Sequence, residues 1–337
     1  MSRRFRRLAG GLITLALSAC ATLPMQEPSP PTSISRLPGW ASEDHAAAFA
    51  AVRQACAAAP RPARGAVCGE VLAHGAFGEI AARRFLETHF RAAPIDGEGL
   101  LTGYFSPSYE ARTSPEGDFT APVRPPPDDP NALDRVAIEH APAQDALAWM
   151  RPEDLFFLQV QGSGVLTFEN GARRRAVFAA ANGRSFVAIA KTMIAEGLLD
   201  PANASADDVR AWLAAHRGAD AQAQMDQDPR YIFFHLFTDD GGEPQGASGA
   251  ALVPGRSLAV DPAAHPYFEL LWIDARAASL SNARPIYQRL AVALDRGGAI
   301  VGPVRADLYL GRGDNAGFEA ARIRHTLRLY RIVPVQP

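Results

Sequence analysis

The sequence predicts a mainly β protein, a barrel or sandwich with helical decoration, and three observations carry that prediction. Strand-like apolar runs recur from residue 99 to the C-terminus, clusters of Gly, Pro, Asn and Asp separate them, and the helical periodicities are few. With 47% hydrophobic residues in 337, the chain can fill one large core or two modest ones. No internal repeat is visible.

Taken in order, the chain opens with basic Met1-Ser-Arg-Arg-Phe-Arg-Arg and an apolar stretch from Leu8 to Ala19. That stretch is too short for a permanent membrane span, so residues 1–19 read as a signal peptide. Small residues stand before a cysteine in Leu17-Ser18-Ala19-Cys20, the bacterial lipoprotein cleavage pattern, which predicts a mature chain lipidated at Cys20. Several acyl chains there would anchor the protein without crossing the bilayer. Ala21 and Thr22 follow, neither of them the aspartate of inner-membrane retention, so the expected location is the outer membrane, facing the periplasm. Residues 20–40, rich in Pro and Ser between Pro24 and Pro38, are expected to form an extended tether.

Apolar residues at three and four spacing predict helices over Glu43 to Ala58 and Glu79 to Phe90. Strands are expected over Leu101 to Tyr109, Leu155 to Val160, Val165 to Phe168 and Arg175 to Ala180, with Pro122 to Pro130 a loop. Helices interrupt over Ser185 to Glu196 and Ala206 to His216; Ser205 and Asp208 have capping-box spacing. Strands resume at Tyr231 to Phe237, Ser257 to Val260, Phe268 to Ile273, Ala291 to Leu294, Arg305 to Leu310 and Leu327 to Val333. A short helix from Asp314 to Ile323 precedes the last.

Thirty-four Lys and Arg face 36 Asp and Glu; four of the arginines belong to the leader, so the mature body carries a balance of −6. A mildly acidic body argues against nucleic acid as a partner. Cys56 and Cys68 are an even pair in an exported protein, either a local disulfide or two buried thiols. The eight histidines are scattered without ligand spacing, so no metal and no cofactor are expected.

Three clusters carry chemistry. In Asp295-Arg-Gly-Gly-Ala-Ile-Val-Gly-Pro-Val-Arg-Ala-Asp307, two acids close strand-like segments on either side of a glycine-rich turn. They can face one groove, or simply bond turn amides. In Phe156-Phe157-Leu158-Gln159-Val160-Gln161-Gly162-Ser163-Gly164, an apolar strand ends in amide, hydroxyl and glycine, suited to a polyhydroxylated ligand or to a hairpin turn. A serine nucleophile is excluded, because the elbow requires Gly-x-Ser-x-Gly between strand and helix. Thr102-Gly103-Tyr104-Phe105 is an aromatic strand, either core or a platform for sugar rings.

Those segments, with Asn182-Gly183-Arg184, Arg230-Tyr231-Ile232-Phe233-Phe234, Gly255-Arg256-Ser257-Leu258-Ala259-Val260-Asp261 and the block from Asp295 to Gly313, occur in an order that resembles the membrane-bound lytic murein transglycosylase A family. The last block resembles its C-terminal three-aspartate (3D) domain. The resemblance implies a double-psi β-barrel from residues 41–100 and 235–337, the 3D domain within it spanning about 250–320. It also implies a second β-domain inserted at 101–234 and a glycan groove at their junction. It implies a single catalytic acid, Asp307, supported by Asp295 and Asp261, with Tyr104, Gln161, Gly162 and Ser163 contacting substrate. The sequence departs from the family at His265-Pro266-Tyr267-Phe268-Glu269, where Pro-Leu-Gly is usual, and at Asp228-Pro229-Arg230, which replaces Asn-x-Ser.

The implied reaction cleaves the β-1,4 bond between MurNAc and GlcNAc of peptidoglycan glycan strands and leaves 1,6-anhydroMurNAc ends. Protonated Asp307 would donate to the bridging oxygen and then take the C6 hydroxyl proton. A monomer is expected. The competing readings are a non-catalytic peptidoglycan-binding envelope lipoprotein and a hydrolase using both Asp295 and Asp307.

Overall fold

The computed structural model describes residues 30–61, 65–201, 204–278, 280 and 282–335. The leader and Cys20 lie outside the described residues. In chain order the strands are β1 (Thr32–Ser33), β2 (Phe90–Pro94), β3 (Gly99–Ser106), β4 (Ser108–Ala111), β5 (Ala121–Val123), β6 (Ala148–Met150), β7 (Ser163–Phe168), β8 (Arg173–Ala181), β9 (Ile232–Thr238), β10 (Ser257–Ala259), β11 (Leu270–Ala278), β12 (Tyr287–Asp295), β13 (Arg305–Arg312) and β14 (Arg324–Pro334). The helices are α1 (His45–Ala58), α2 (Ala66–Ala73), α3 (Glu79–His89), α4 (Arg135–His140), α5 (Pro152–Gln161), α6 (Ile189–Ala195), α7 (Ala206–Ala215), α8 (Ala219–Met225) and α9 (Gly313–Ala320).

Six strands close on themselves in the order β14, β11, β12, β10, β13, β3 and back to β14, while β2 and β1 extend the sheet outward from β14. Closure removes the free edges of those six. Its interior is filled by alternate residues, among them Leu101, Leu258, Leu271, Ile273, Ala291, Ala293, Ala306, Leu308, Leu327 and Leu329. A satellite core of α1, α3 and Trp40 packs on Trp272 and Leu290. Separately, β4, β7, β8 and β9 form a four-stranded sheet, packed on one face by α5, α6, α7 and α8 through Leu158, Met193, Leu213, Met225 and Phe234.

With nine α-helices among the described residues, the fold is mixed α/β, which corrects the mainly β expectation. The largest change is at Leu155 to Val160, expected as a strand and found within helix α5. Pro152 begins that helix, Glu153 and Asp154 occupy its first turn, and Gly162 caps it in the left-handed conformation at φ 79°. Residues 153–159 are all buried, so the helix shows no polar face and its apolar run imitates a buried strand. Gln159 accordingly does not oppose Val160 on a strand; it is buried and accepts from Arg135 Nη2 at 2.8 Å.

The expected strand Leu101 to Tyr109 breaks at Pro107 into β3 and β4, which belong to different sheets. The tether expectation is shortened, because Ile34, Leu37 and Trp40 are buried and β1 pairs with β2. Part of the Pro122 to Pro130 loop is strand β5. Helix α7 carries the reciprocal capping box of Ser205 and Asp208. Cys56 and Cys68 are joined as a disulfide, tying α1 to α2.

Candidate functional site

The site is a row of residues across four strands of the barrel. Strand β13 alternates: Ala306 and Leu308 face the barrel interior, so Asp307 between them faces outward. Its register partner on parallel β3 is Thr102, on antiparallel β10 it is Ala259, and the partner of Ala259 on β12 is Asp295. Thr102, Asp307, Ala259 and Asp295 therefore stand side by side. The small Ala259 leaves the two acids with nothing bulky between them.

Hydrogen bonds fix both carboxylates. Thr102 Oγ1 donates to Asp307 Oδ1 at 2.7 Å and accepts from Arg305 Nη2 at 2.9 Å, so the arginine sets which way the hydroxyl proton points. Asp295 Oδ2 accepts from the Tyr104 hydroxyl at 2.9 Å, and its Oδ1 accepts from the backbone amides of Ala247 and Arg296, each at 2.9 Å. Tyr104 packs against Tyr309 with ring centroids 5.2 Å apart, and the Tyr309 hydroxyl donates to Glu243 at 2.6 Å.

The two acids differ electrostatically. Protein surrounds Asp307 on nearly every side, yet its side chain keeps some solvent contact. Desolvation pushes its pKa up to about 6; Thr102 and Arg305 pull against that rise and the Asp295 charge adds to it. Burial also raises Asp295, offset by the two amides, by Tyr104 and by Arg296. Tyr104 is raised well above a phenol's ordinary range, first by burial and then by Asp295. A neighbouring pair of acids, one with a nearly idle oxygen and a pKa near neutrality and the other saturated with donors, suits proton transfer by Asp307.

The remaining predicted residues are placed as follows. Asp261 lies just past β10 and spends its carboxylate on the amides of Ala263 (2.9 Å) and Gly302 (2.8 Å), which hold the loop entering β13; the structure does not bring it into contact with Asp307 or Asp295. Gln161, Gly162 and Ser163 lie where α5 hands over to β7, beside Pro107, where the chain leaves β3. A side chain at Gly164 would lie 2.7 Å from Leu158 Cδ1 and 3.1 Å from the Pro107 carbonyl oxygen. Among the described residues no cluster of three His, Cys, Asp or Glu side chains is placed to hold a metal ion, and no helix is long and apolar enough to cross a membrane.

The sequence reading missed Thr102 and Arg305 as partners of the acid. Strand alternation held the signal for both, since Thr102 shares a face with Tyr104 and Arg305 shares one with Asp307. Glu243 and Ala247 had no such signal, because they reach the site from a loop.

Residues 131–235 match the family described as the MltA specific insert domain, and residues 256–333 match the 3D domain. Membrane-bound lytic murein transglycosylase A of Escherichia coli (strain K12) is 32% identical over 243 residues, which are 69% of this chain and 65% of that relative. The match thus spans just under two thirds of the relative's length. A membrane-bound lytic murein transglycosylase from Agrobacterium tumefaciens superimposes with a TM-score of 0.79 at 28% identity, covering 90% of this chain and 97% of that one. E. coli MltA with bound chitohexaose superimposes with a TM-score of 0.70 at 26% identity, over 91% and 92% of the two chains.

Proposed function

The chain belongs to the membrane-bound lytic murein transglycosylase A family, and on that premise we propose that it cleaves peptidoglycan glycan strands by lytic transglycosylation, with Asp307 as the catalytic acid. The observation that carries the assignment is the pairing of Asp307, raised to about 6 while keeping some solvent contact, with a donor-saturated Asp295 in the same row across β10. The chitohexaose bound to the E. coli relative supports a glycan as the ligand of this row.

Near neutral pH a useful fraction of Asp307 is protonated, and its free Oδ2 carries the proton to the β-1,4 oxygen between MurNAc and GlcNAc. As the C1–O bond breaks and oxocarbenium character develops, the ionised carboxylate takes the proton of the C6 hydroxyl, which closes on C1 as a 1,6-anhydro ring. The attack is intramolecular, so its orientation is supplied by the sugar itself. Asp295 positions Tyr104, whose ring gives the sugar a flat apolar face. Gln161, Gly162 and Ser163, at the α5–β7 handover, line the glycan path, and Asp261 supports the loop before β13.

We assign the six-stranded barrel to the double-psi class on its two parallel pairs, β3 with β13 and β10 with β12. Lipidation at Cys20 and an outer-membrane position facing the periplasm rest on the sequence pattern. The test is incubation of the body lacking Cys20 with purified sacculi and mass spectrometry of the released muropeptides. Anhydro ends from the parent and none from Asp307→Ala are expected. Reducing ends would identify a hydrolase, and binding without release from either protein would identify a scaffold.

A further inference from the structure

Arg230 stands two residues before β9 and reaches toward the barrel's loop between β12 and β13. A side-chain carbon at Gly298, in the glycine-rich loop between β12 and β13, would meet only its Nη1, at 3.5 Å, with otherwise open space around it. The guanidinium stacks over the Phe186 ring, 4.6 Å from its centroid. Among the described residues no carboxylate, carbonyl or hydroxyl accepts a hydrogen bond from it. The loop it meets begins at Asp295, whose carboxylate binds the amide of Arg296, so this gap adjoins the catalytic row.

The platform under Arg230 is built and rigid. Asp228, fully buried, accepts from the amides of Val187 (3.0 Å) and Arg230 (3.2 Å). Asn182, also buried, donates to the Pro229 carbonyl at 2.9 Å and accepts from the Tyr231 amide at 2.9 Å. Arg135 donates to the carbonyls of Asp228 (2.7 Å) and Arg230 (2.5 Å). These bonds lock the loops bearing Phe186 and Arg230 to each other but leave the Arg230 side chain unused. Burial and the Arg135 charge depress its pKa, with Asp228 opposing them. A cation held against a ring and half-buried, with the Asp228 charge near but not hydrogen-bonded to it, keeps its donors available for an arriving anion.

We propose that Arg230 is a specificity-determining residue that binds a carboxylate of the glycan strand and so selects acidic murein strands over neutral chitin-like ones. This rests on the transglycosylase reading. Two carboxylates of peptidoglycan fit, the lactyl group of a denuded MurNAc and the carboxylates of a peptide stem. Arg is suited to either through its paired donors.

The test is calorimetric binding with Asp307→Asn protein, which leaves strands intact, against three hexasaccharides: chitohexaose, a denuded GlcNAc–MurNAc strand with free lactyl carboxylates, and the same strand bearing peptide stems. Arg230→Gln in that background is expected to weaken binding of a carboxylated strand by about tenfold or more and to leave chitohexaose within about twofold. Loss confined to the denuded strand identifies the lactyl group, and loss confined to the stemmed strand identifies the stem. Arg230→Lys should fall between, and the difference should shrink as salt rises. Equal loss on all three glycans, or none on any, would overturn the proposal. If Asp307→Asn protein with Arg230 intact binds no glycan, the transglycosylase reading itself fails, and this inference with it.

Discussion

Asp307→Asn should abolish turnover and, at neutral pH, stabilise the protein. The carboxyl group's pKa is about 6 in the folded chain against an ordinary 3.8. A pKa raised on folding means that the folded state binds the proton more tightly, so the stability this group contributes is complete below about pH 3.8. It is lost as pH rises to about 6 and stays lost above. At 1.36 kcal/mol per pH unit, the ionised carboxylate destabilises the fold at pH 7.5 by up to about 3 kcal/mol; the side chain's remaining solvent contact makes this an upper figure. Asparagine keeps an acceptor for the Thr102 hydroxyl and carries no charge to desolvate.

Thermal or urea unfolding of both proteins at pH 3.8 and pH 7.5 reads the difference. The two should unfold alike at the lower pH and diverge at the higher, by roughly 2–4 °C in Tm per kcal/mol. Activity should be absent in the variant at every pH. A variant no more stable than the parent at pH 7.5, or stabilised equally at both values, would refute the account of a carboxylate raised by burial.

Three further outcomes follow from the geometry. Thr102→Val removes a hydrogen bond to the ionised acid worth about 1.5–3 kcal/mol, so the alkaline limb of the kcat/KM profile should move upward from near pH 6 by about one to two units; an unmoved limb would show that Thr102 does not tune the acid. Gly103→Ala places a carbon 2.9 Å from Ala320 Cα and 3.0 Å from Ile323 Cδ1, so β3 or α9 must shift. Stability should fall by about 1–3 kcal/mol, and kcat should fall further than the folded fraction does, as separate unfolding and turnover measurements would show. Cys56→Ser with Cys68→Ser opens a link between residues 12 apart in sequence and should cost roughly 2–3 kcal/mol, read by urea unfolding, with turnover per folded molecule unchanged.

Much of the barrel was legible because its strands have one buried face. The alternation around Ala306 and Leu308 identifies β13 and turns Asp307 away from the core in the same stroke. Helix α7 was legible from Ser205 and Asp208, a local cap that tertiary contacts did not override. Helix α5 was not, because residues 153–159 are buried on all sides and leave no period to detect. Nor could local pattern show that Thr102 would stand beside Asp307, 205 residues away. That neighbour is fixed by the parallel register of β3 and β13, a consequence of closure. Pro107 could have signalled the change of sheet, since it removes a ladder donor where the chain leaves the barrel.

Asp307 and Arg230 contrast with charges that the fold pairs internally. Several buried charges elsewhere are matched: Asp154 receives Arg210 at 2.9 Å and 2.5 Å, Glu43 receives Arg256 at 2.9 Å and the Leu290 amide at 2.6 Å, and Arg312 grips Asp239 through two bonds of 2.8 Å. At and beside the catalytic row the pattern changes. Among the described residues Asp307 keeps one oxygen without a donor and Arg230 keeps its guanidinium without a hydrogen-bond acceptor, although both are flanked by hydrogen-bonded networks. Groups left unsatisfied in this way lower stability, and packing alone gives no reason to retain them. A glycan strand lying between the barrel and the four-stranded sheet would supply both missing partners, an oxygen to protonate at Asp307 and a carboxylate at Arg230. One strand would therefore engage both groups at once.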